Sequence, residues 1–178
     1  EGVVSHNMEL FLDIVRDRYG INHIRLEDIT SYNLEDCLDL DPEVITAAIH
    51  CLLQGDGGGD LNLLPGCRRV LRRMARSTPR MLFVTARPER EVIQAWLRDR
   101  LGLPHTAIEV VATGGFEAKA DVLAEAGVKY FVEDRLETCY QLKEEGIEPV
   151  LYRQPWNRES HPFIEVGNWQ ELENLIAY

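Results

Sequence analysis

Strands and helices alternate through the second half of this chain, and the alternation predicts an α/β protein in which a parallel sheet is wrapped by helices on both faces. Three observations carry that expectation. Short apolar runs rich in β-branched and aromatic residues recur at 81–85, 108–111, 130–133 and 149–152. A stretch with helical apolar spacing follows each of the first three. Glycine and proline punctuate the joins: Pro88 opens one helix, and Gly127 and Gly146 close two others.

The elements follow in order. Met8, Phe11, Leu12, Val15 and Tyr19 recur at helical spacing before Gly20, so residues 7–19 form an amphipathic helix. Residues 21–41 are polar and mixed. Pro42 starts a second amphipathic helix carrying Val44, Ile45, Ala48, Ile49 and Leu52. The run Gln54-Gly55-Asp56-Gly57-Gly58-Gly59-Asp60 breaks the chain; without G-x-x-x-x-G-K-[ST] or a preceding strand it reads as a surface loop rather than a phosphate cradle. A helix over 66–76 leads to the strand Met81-Leu82-Phe83-Val84-Thr85, and the helix opened by Pro88 carries Val92, Trp96, Leu97 and Leu101. The strand at 108–111, the turn Gly114-Gly115 and a helix over 117–126 repeat the unit. The strand at 130–133, a helix over 136–145 and the strand at 149–152 repeat it again. His161-Pro162-Phe163 reads as a loop, and residues 169–177 as a closing helix with Leu172, Leu175 and Ile176 turned inward. Val3-Val4 joins the sheet if it ends a first strand begun upstream.

Composition bounds the function. A chain of 178 residues, 45% hydrophobic and 28% charged, suits one domain with a small insertion. The formal net charge of −11 repels duplex nucleic acid but leaves room for a small anion bound locally. Cys37, Cys51, Cys67 and Cys139 lie far apart, which suggests reduced cytoplasmic thiols rather than a zinc ribbon or a disulfide framework. No apolar run approaches the roughly 18 residues of a membrane span, so no membrane partner is expected.

In a parallel sheet, ligands bind beyond the carboxyl ends of the strands. The chemistry-bearing residues fall there: Thr85 and Arg87 after one strand, Lys119 on the helix after the Gly114-Gly115 turn, and Glu133-Asp134 after Tyr130-Phe131-Val132. Singly, each has a plain structural reading: a strand-end hydroxyl, a solvated cation, a turn whose acids pair with Arg135. Together, a hydroxyl, an ammonium and two adjacent carboxylates on one sheet edge supply the parts of a phosphate and magnesium site. Trp156-Asn157 either lines that site or fixes the exit of the last strand. His6 reads as a residue leading into the first helix, and Trp96 as core.

These motifs resemble those of the haloacid dehalogenase-like phosphohydrolases. Glu1-Gly2-Val3-Val4 resembles the tail of their Asp-x-Asp-Gly-Val motif, Thr85 their second motif, Lys119 their third and Glu133-Asp134 their fourth. Leu64-Pro65-Gly66, Thr85-Ala86-Arg87-Pro88, Trp96-Leu97, Glu133-Asp134-Arg135 and Gln154-Pro155-Trp156-Asn157 are similar to the bacterial relatives of 5'(3')-deoxyribonucleotidases.

The resemblance implies a Rossmann-like three-layer α/β/α sandwich with a small helical cap inserted after the first strand. The core would comprise residues 1–20 and 62–178, and the cap residues 21–61. It implies a magnesium-dependent phosphatase acting on a small phosphorylated metabolite, such as a nucleoside monophosphate, through an aspartyl-phosphate intermediate. The nucleophilic aspartate would lie two residues before Glu1. Asp134 would hold the metal directly and Glu133 would support it. Thr85 and Lys119 would bind the phosphoryl oxygens, and Arg87 would orient the substrate. Glu1 stands where the family has the proton-transferring aspartate, longer by a methylene, with its backbone carbonyl as a metal ligand. Some phosphotransferase-like relatives share that glutamate, so transfer to an organic hydroxyl stays open, as does a phosphate-binding module without catalysis.

Overall fold

The computed structural model describes residues 2–55, 60–78 and 80–176. The expected glycine-rich loop falls mostly on residues 56–59, outside the described residues. Helix α1 (Asn7–Tyr19) and helix α2 (Pro42–Gln54) flank two short 3-10 turns, Leu26–Asp28 and Leu34–Asp36. The alternating part follows: α3 (Cys67–Met74), β1 (Met81–Thr85), α4 (Arg90–Leu101), β2 (Ile108–Ala112), α5 (Ala118–Glu125), β3 (Tyr130–Glu133), α6 (Leu136–Glu144), β4 (Glu148–Tyr152), β5 (Ile164–Val166) and α7 (Trp169–Ile176).

All the strand pairs are parallel, and side-chain alternation sorts the helices into layers. Phe83 of β1, Val110 of β2, Val132 of β3 and Val150 and Tyr152 of β4 pack with Val70 and Leu71 of α3, Leu97 and Leu101 of α4, and Leu172 of α7. Leu82, Val84 and Phe131 point the other way, onto Ala120 and Leu123 of α5 and Leu142 of α6. The result is the expected three-layer α/β/α arrangement.

The sheet differs from expectation. Among the described residues it is divided in two, β1-β2 and β3-β4-β5. Val3-Val4 is no strand; Gly2 to Val4 form a turn, and Ser5 makes an isolated antiparallel bridge to Leu63. Every residue of β1 and β3 lines one cavity of about 390 Å³, together with Val3, Val4, Ser5, Lys119 and Asp134. Successive strand residues face opposite sides of a sheet, so a space that touches them all runs along the strands' backbone edges. The strand β5 was not expected; three residues, Ile164 exposed and Val166 buried, are too short to show a period.

A second core forms between α1, α2 and the segment that joins them. Leu10, Phe11, Ile14 and Val15 of α1 pack with Ile45, Ala48 and Leu52 of α2, and with Ile29, Leu34 and Leu38 from the connecting segment. Helix α1 packs its buried face on α2. Its amphipathic pattern reported a buried face but not the partner. The chain leaves and rejoins the core side by side: the Leu64 amide donates to the Val4 carbonyl at 2.9 Å and the His6 amide to the Asn62 carbonyl at 2.9 Å.

The N-terminal turn is anchored from the far end of the chain, where the buried Trp169 indole donates to the Val3 carbonyl at 2.8 Å. Trp169→Phe removes the donor and leaves a buried carbonyl without it, so a loss of about 1–3 kcal/mol is expected in urea unfolding.

Candidate active site

Four of the expected residues converge at the carboxyl ends of β1 and β3, and all are buried: Thr85, Lys119, Glu133 and Asp134. The register places Thr85 opposite Ala112 and Glu133 opposite Leu151, so the polar side chains emerge where the apolar runs stop. Thr85, Arg87, Lys119 and Asp134 line a pocket of about 260 Å³ that is also lined by Met8, Ile29, Tyr32, Leu34 and Leu52, from α1, α2 and the segment between them.

Lys119 Nζ lies 2.7 Å from Glu133 Oε2, an ion pair with both side chains nearly inaccessible to solvent. Glu133 Oε1 accepts from the Asp134 amide at 3.0 Å and the Arg135 amide at 3.1 Å. Both Glu133 oxygens are thereby engaged, one fixing the lysine and the other the turn that carries Asp134. Burial pushes the Glu133 carboxyl up, but the ammonium beside it more than offsets this and holds it below the usual carboxylate range. Asp134 behaves oppositely: burial, reinforced by the Glu133 charge next to it, pushes its carboxyl up to about 6. A buried carboxylate beside a second acid, with the lysine already paired, is the environment a cation would relieve.

The donor set tests that idea. No cluster of three histidine, cysteine or acidic side chains that could hold a metal occurs among the described residues, which disfavours a zinc-type cage. A single pocket-lining carboxylate, Asp134, suits magnesium, which keeps several waters and takes few protein ligands. The remaining candidate, Glu1, lies outside the described residues.

Gly2 shows how closely the N-terminal turn approaches the acid. A Cβ at this position would lie 2.5 Å from Asp134 Oδ2, closer than real Cβ contacts come, and a tight 3.0 Å from the Trp156 ring. Gly2→Ala is therefore expected to displace the Asp134 carboxylate and lower kcat/KM by about 10²-fold with little change in melting temperature.

Further residues shape the site, among them Trp156 and Asn157, whose role the sequence left open, and Thr113, which it did not single out. Asn157 Nδ2 donates to the carbonyls of Asp134 at 2.8 Å and Tyr152 at 2.9 Å, tying the ends of β3 and β4 together, and the Trp156 indole donates to the same Asp134 carbonyl at 3.2 Å. Of the two readings of Trp156-Asn157, both hold in part: Trp156 lines the pocket and Asn157 fixes the strand ends. Gln154 Nε2 donates to the Gly2 carbonyl at 2.5 Å. Thr113, one residue past β2, donates its amide to the Thr85 carbonyl at 2.9 Å, and its hydroxyl lies 3.0 Å from the same oxygen. A polar residue just past an apolar strand was the available signal for Thr113. Trp96 is half-buried rather than simple core, and its indole donates to the Leu61 carbonyl at 3.1 Å, where the cap returns.

With this geometry in view, the comparisons with known proteins decide the family. The model of the 5' nucleotidase, deoxy (pyrimidine), cytosolic type C protein family matches residues 1–178. The chain belongs to that family. It is accordingly a haloacid dehalogenase-like phosphoric monoester hydrolase. Solved structures similar to it include a haloacid dehalogenase-like hydrolase from Streptococcus pneumoniae, with 13% identity and a TM-score of 0.64 over 98% of this chain and 93% of that one. CbbY from Rhodobacter sphaeroides, solved with phosphate, has 15% identity and a TM-score of 0.59 over 97% and 92%. A superfamily hydrolase from Ehrlichia chaffeensis has 13% identity and a TM-score of 0.54 over 98% and 91%. At such identities the likeness is one of fold. No curated protein matches the sequence. Among the described residues of this nucleotidase-family chain, no helix is long and apolar enough to cross a membrane.

Proposed function

We propose that this protein is a magnesium-dependent phosphatase that hydrolyses a small phosphomonoester, a nucleoside monophosphate being the favoured class, in the cytoplasm. The observation that carries the reading is the convergence of Thr85, Lys119 and Asp134 on one pocket roofed by a helical cap. Apolar and aromatic side chains, Met8, Ile29, Tyr32, Phe116 and Trp156, line much of the remainder, which suits a flat organic group on the far side of the phosphate.

In this reading the nucleophilic aspartate stands two residues before Glu1. The turn at Val3-Val4, which follows Glu1, lines a cavity together with Thr85, Lys119 and Asp134, and this supports placing the first-motif residues beside them. The aspartate oxygen attacks phosphorus as the bond to the leaving alkoxide breaks, and the Glu1 carboxyl gives that alkoxide a proton. Glu1 then takes a proton from water, whose oxygen attacks phosphorus and frees the aspartate. Thr85 and Lys119 hold phosphoryl oxygens, and Glu133 keeps Lys119 and the Asp134 turn in place. Asp134 would hold magnesium, which when bound offsets the phosphoryl charge.

Phosphate release from p-nitrophenyl phosphate and from nucleoside monophosphates, measured with the full-length protein, tests the reading. Release should require magnesium and stop on adding chelator. Phosphorylated acceptor forming without matching free phosphate would instead identify a phosphotransferase.

A further inference from the structure

Arg87 does something the motif pattern did not anticipate. It is buried, two residues beyond Thr85, and its Nη1 donates to the carbonyls of Leu53 at 3.2 Å and Leu52 at 3.4 Å. Those carbonyls belong to the last turn of α2, which ends at Gly55 in the left-handed conformation. The final carbonyls of a helix have no partner within it and carry the negative end of its dipole, so a guanidinium is a strong ligand for them. The main chain of the same residue faces the other way: the Arg87 amide donates to Thr85 Oγ1 at 3.2 Å. One residue thus touches both the hydroxyl expected to hold phosphate and the end of a cap helix.

A second tie has the same character. Tyr32, from the cap, meets Phe116 of the core edge-on at 5.3 Å, and the Arg135 guanidinium lies over both rings, 5.3 Å and 4.6 Å from their centroids. The cap's own apolar cluster is otherwise largely separate from that of the sheet, with Trp156 and Leu61 packed at its margin. Polar and aromatic contacts therefore set how the cap sits.

We propose that Arg87 is a positioning residue that ties the last turn of α2 to the phosphate-holding end of β1 and so holds the cap closed over the pocket. The proposal rests on the functional reading above only for its kinetic consequence. Its structural content stands on the contacts of Arg87 with Leu52, Leu53 and Thr85. A cation that grips cap carbonyls favours the closed pocket whatever the substrate, whereas a cation that grips phosphate acts on the substrate itself.

Hydrogen exchange on the full chain separates the two. In Arg87→Met, exchange in α2 should rise about tenfold or more, as expected for loss of a hydrogen bond to a charged group, with β4 unchanged. Arg87→Lys, which keeps a cation able to reach the helix end, should recover part of that protection. Binding of inorganic phosphate should stay within about twofold of wild type in both variants, while KM for a nucleoside monophosphate rises about tenfold in Arg87→Met. Unchanged exchange in α2 overturns the proposal, and so does phosphate binding that weakens in step with KM. Arg87→Gln carries the same measurements if the methionine variant does not fold. Absence of hydrolysis in wild type would refute the proposed activity but leave the exchange result decisive for Arg87.

Discussion

Asn in place of Asp134 is expected to lower kcat/KM on the order of 10³-fold while leaving the protein at least as stable as wild type. The two effects have different origins. The activity loss follows from the carboxylate: the lysine nearest to it is already paired with Glu133 at 2.7 Å, so Asp134 is the acid left to hold a cation at the pocket. The retained stability follows from burial. Glu133 and Asp134 are adjacent and almost fully buried, and an amide of the same shape removes one of two crowded charges. The contacts that build the turn survive, because the Asp134 amide donates to Glu133 and its carbonyl accepts from Asn157 and Trp156, all through main-chain atoms of Asp134. Magnesium should raise the melting temperature of wild type and not of the variant, since a ligand stabilises only the fold that binds it. A variant within tenfold of wild-type kcat/KM would remove Asp134 from the proposed role.

Much of this site was legible because each residue sits where a sequence pattern changes. Thr85 and Glu133-Asp134 end apolar runs, and Lys119 begins the helix after a double-glycine turn, so strand assignment alone brought them to one edge. What was not legible depends on pairing between distant segments. Helix α1 carries an ordinary amphipathic stripe, and nothing in its spacing says that the stripe meets α2 rather than the sheet. The division of the sheet between β1 and β3 is likewise a property of neighbours, not of either run. Asn157 was noticed but its role was left open between two readings, because its partners are two main-chain carbonyls, of Asp134 and Tyr152, which every residue possesses. For Arg87 the family resemblance implied a role toward substrate and left a structural pairing open; it lines the pocket, and its bonds to Leu52 and Leu53 depend on how a helix 35 positions away comes to rest.

Lys119→Met should be the most destabilising single change at the site, costing about 3–5 kcal/mol, because it strands the Glu133 carboxylate without its cation. The methionine fills the space of the lysine stem but supplies no donor to Glu133 Oε2, while the two amide bonds to Oε1 persist. Two explanations of a lost activity then compete: a collapsed turn, or a missing ammonium at the phosphate. The double variant Lys119→Met with Glu133→Gln separates them. Glutamine can still accept from the Asp134 and Arg135 amides but brings no buried charge, so most of the lost stability should return in urea unfolding. Activity should not return, and kcat/KM should remain about 10²–10³-fold below wild type, because the ammonium that lines the pocket with Thr85 is gone and the Arg87 guanidinium is engaged by the carbonyls of Leu52 and Leu53. Recovery of both together would make Lys119 a structural partner of Glu133 and nothing more. Recovery of stability alone assigns the ammonium two separable tasks, neutralising a buried acid in the resting protein and holding phosphate in the reacting one.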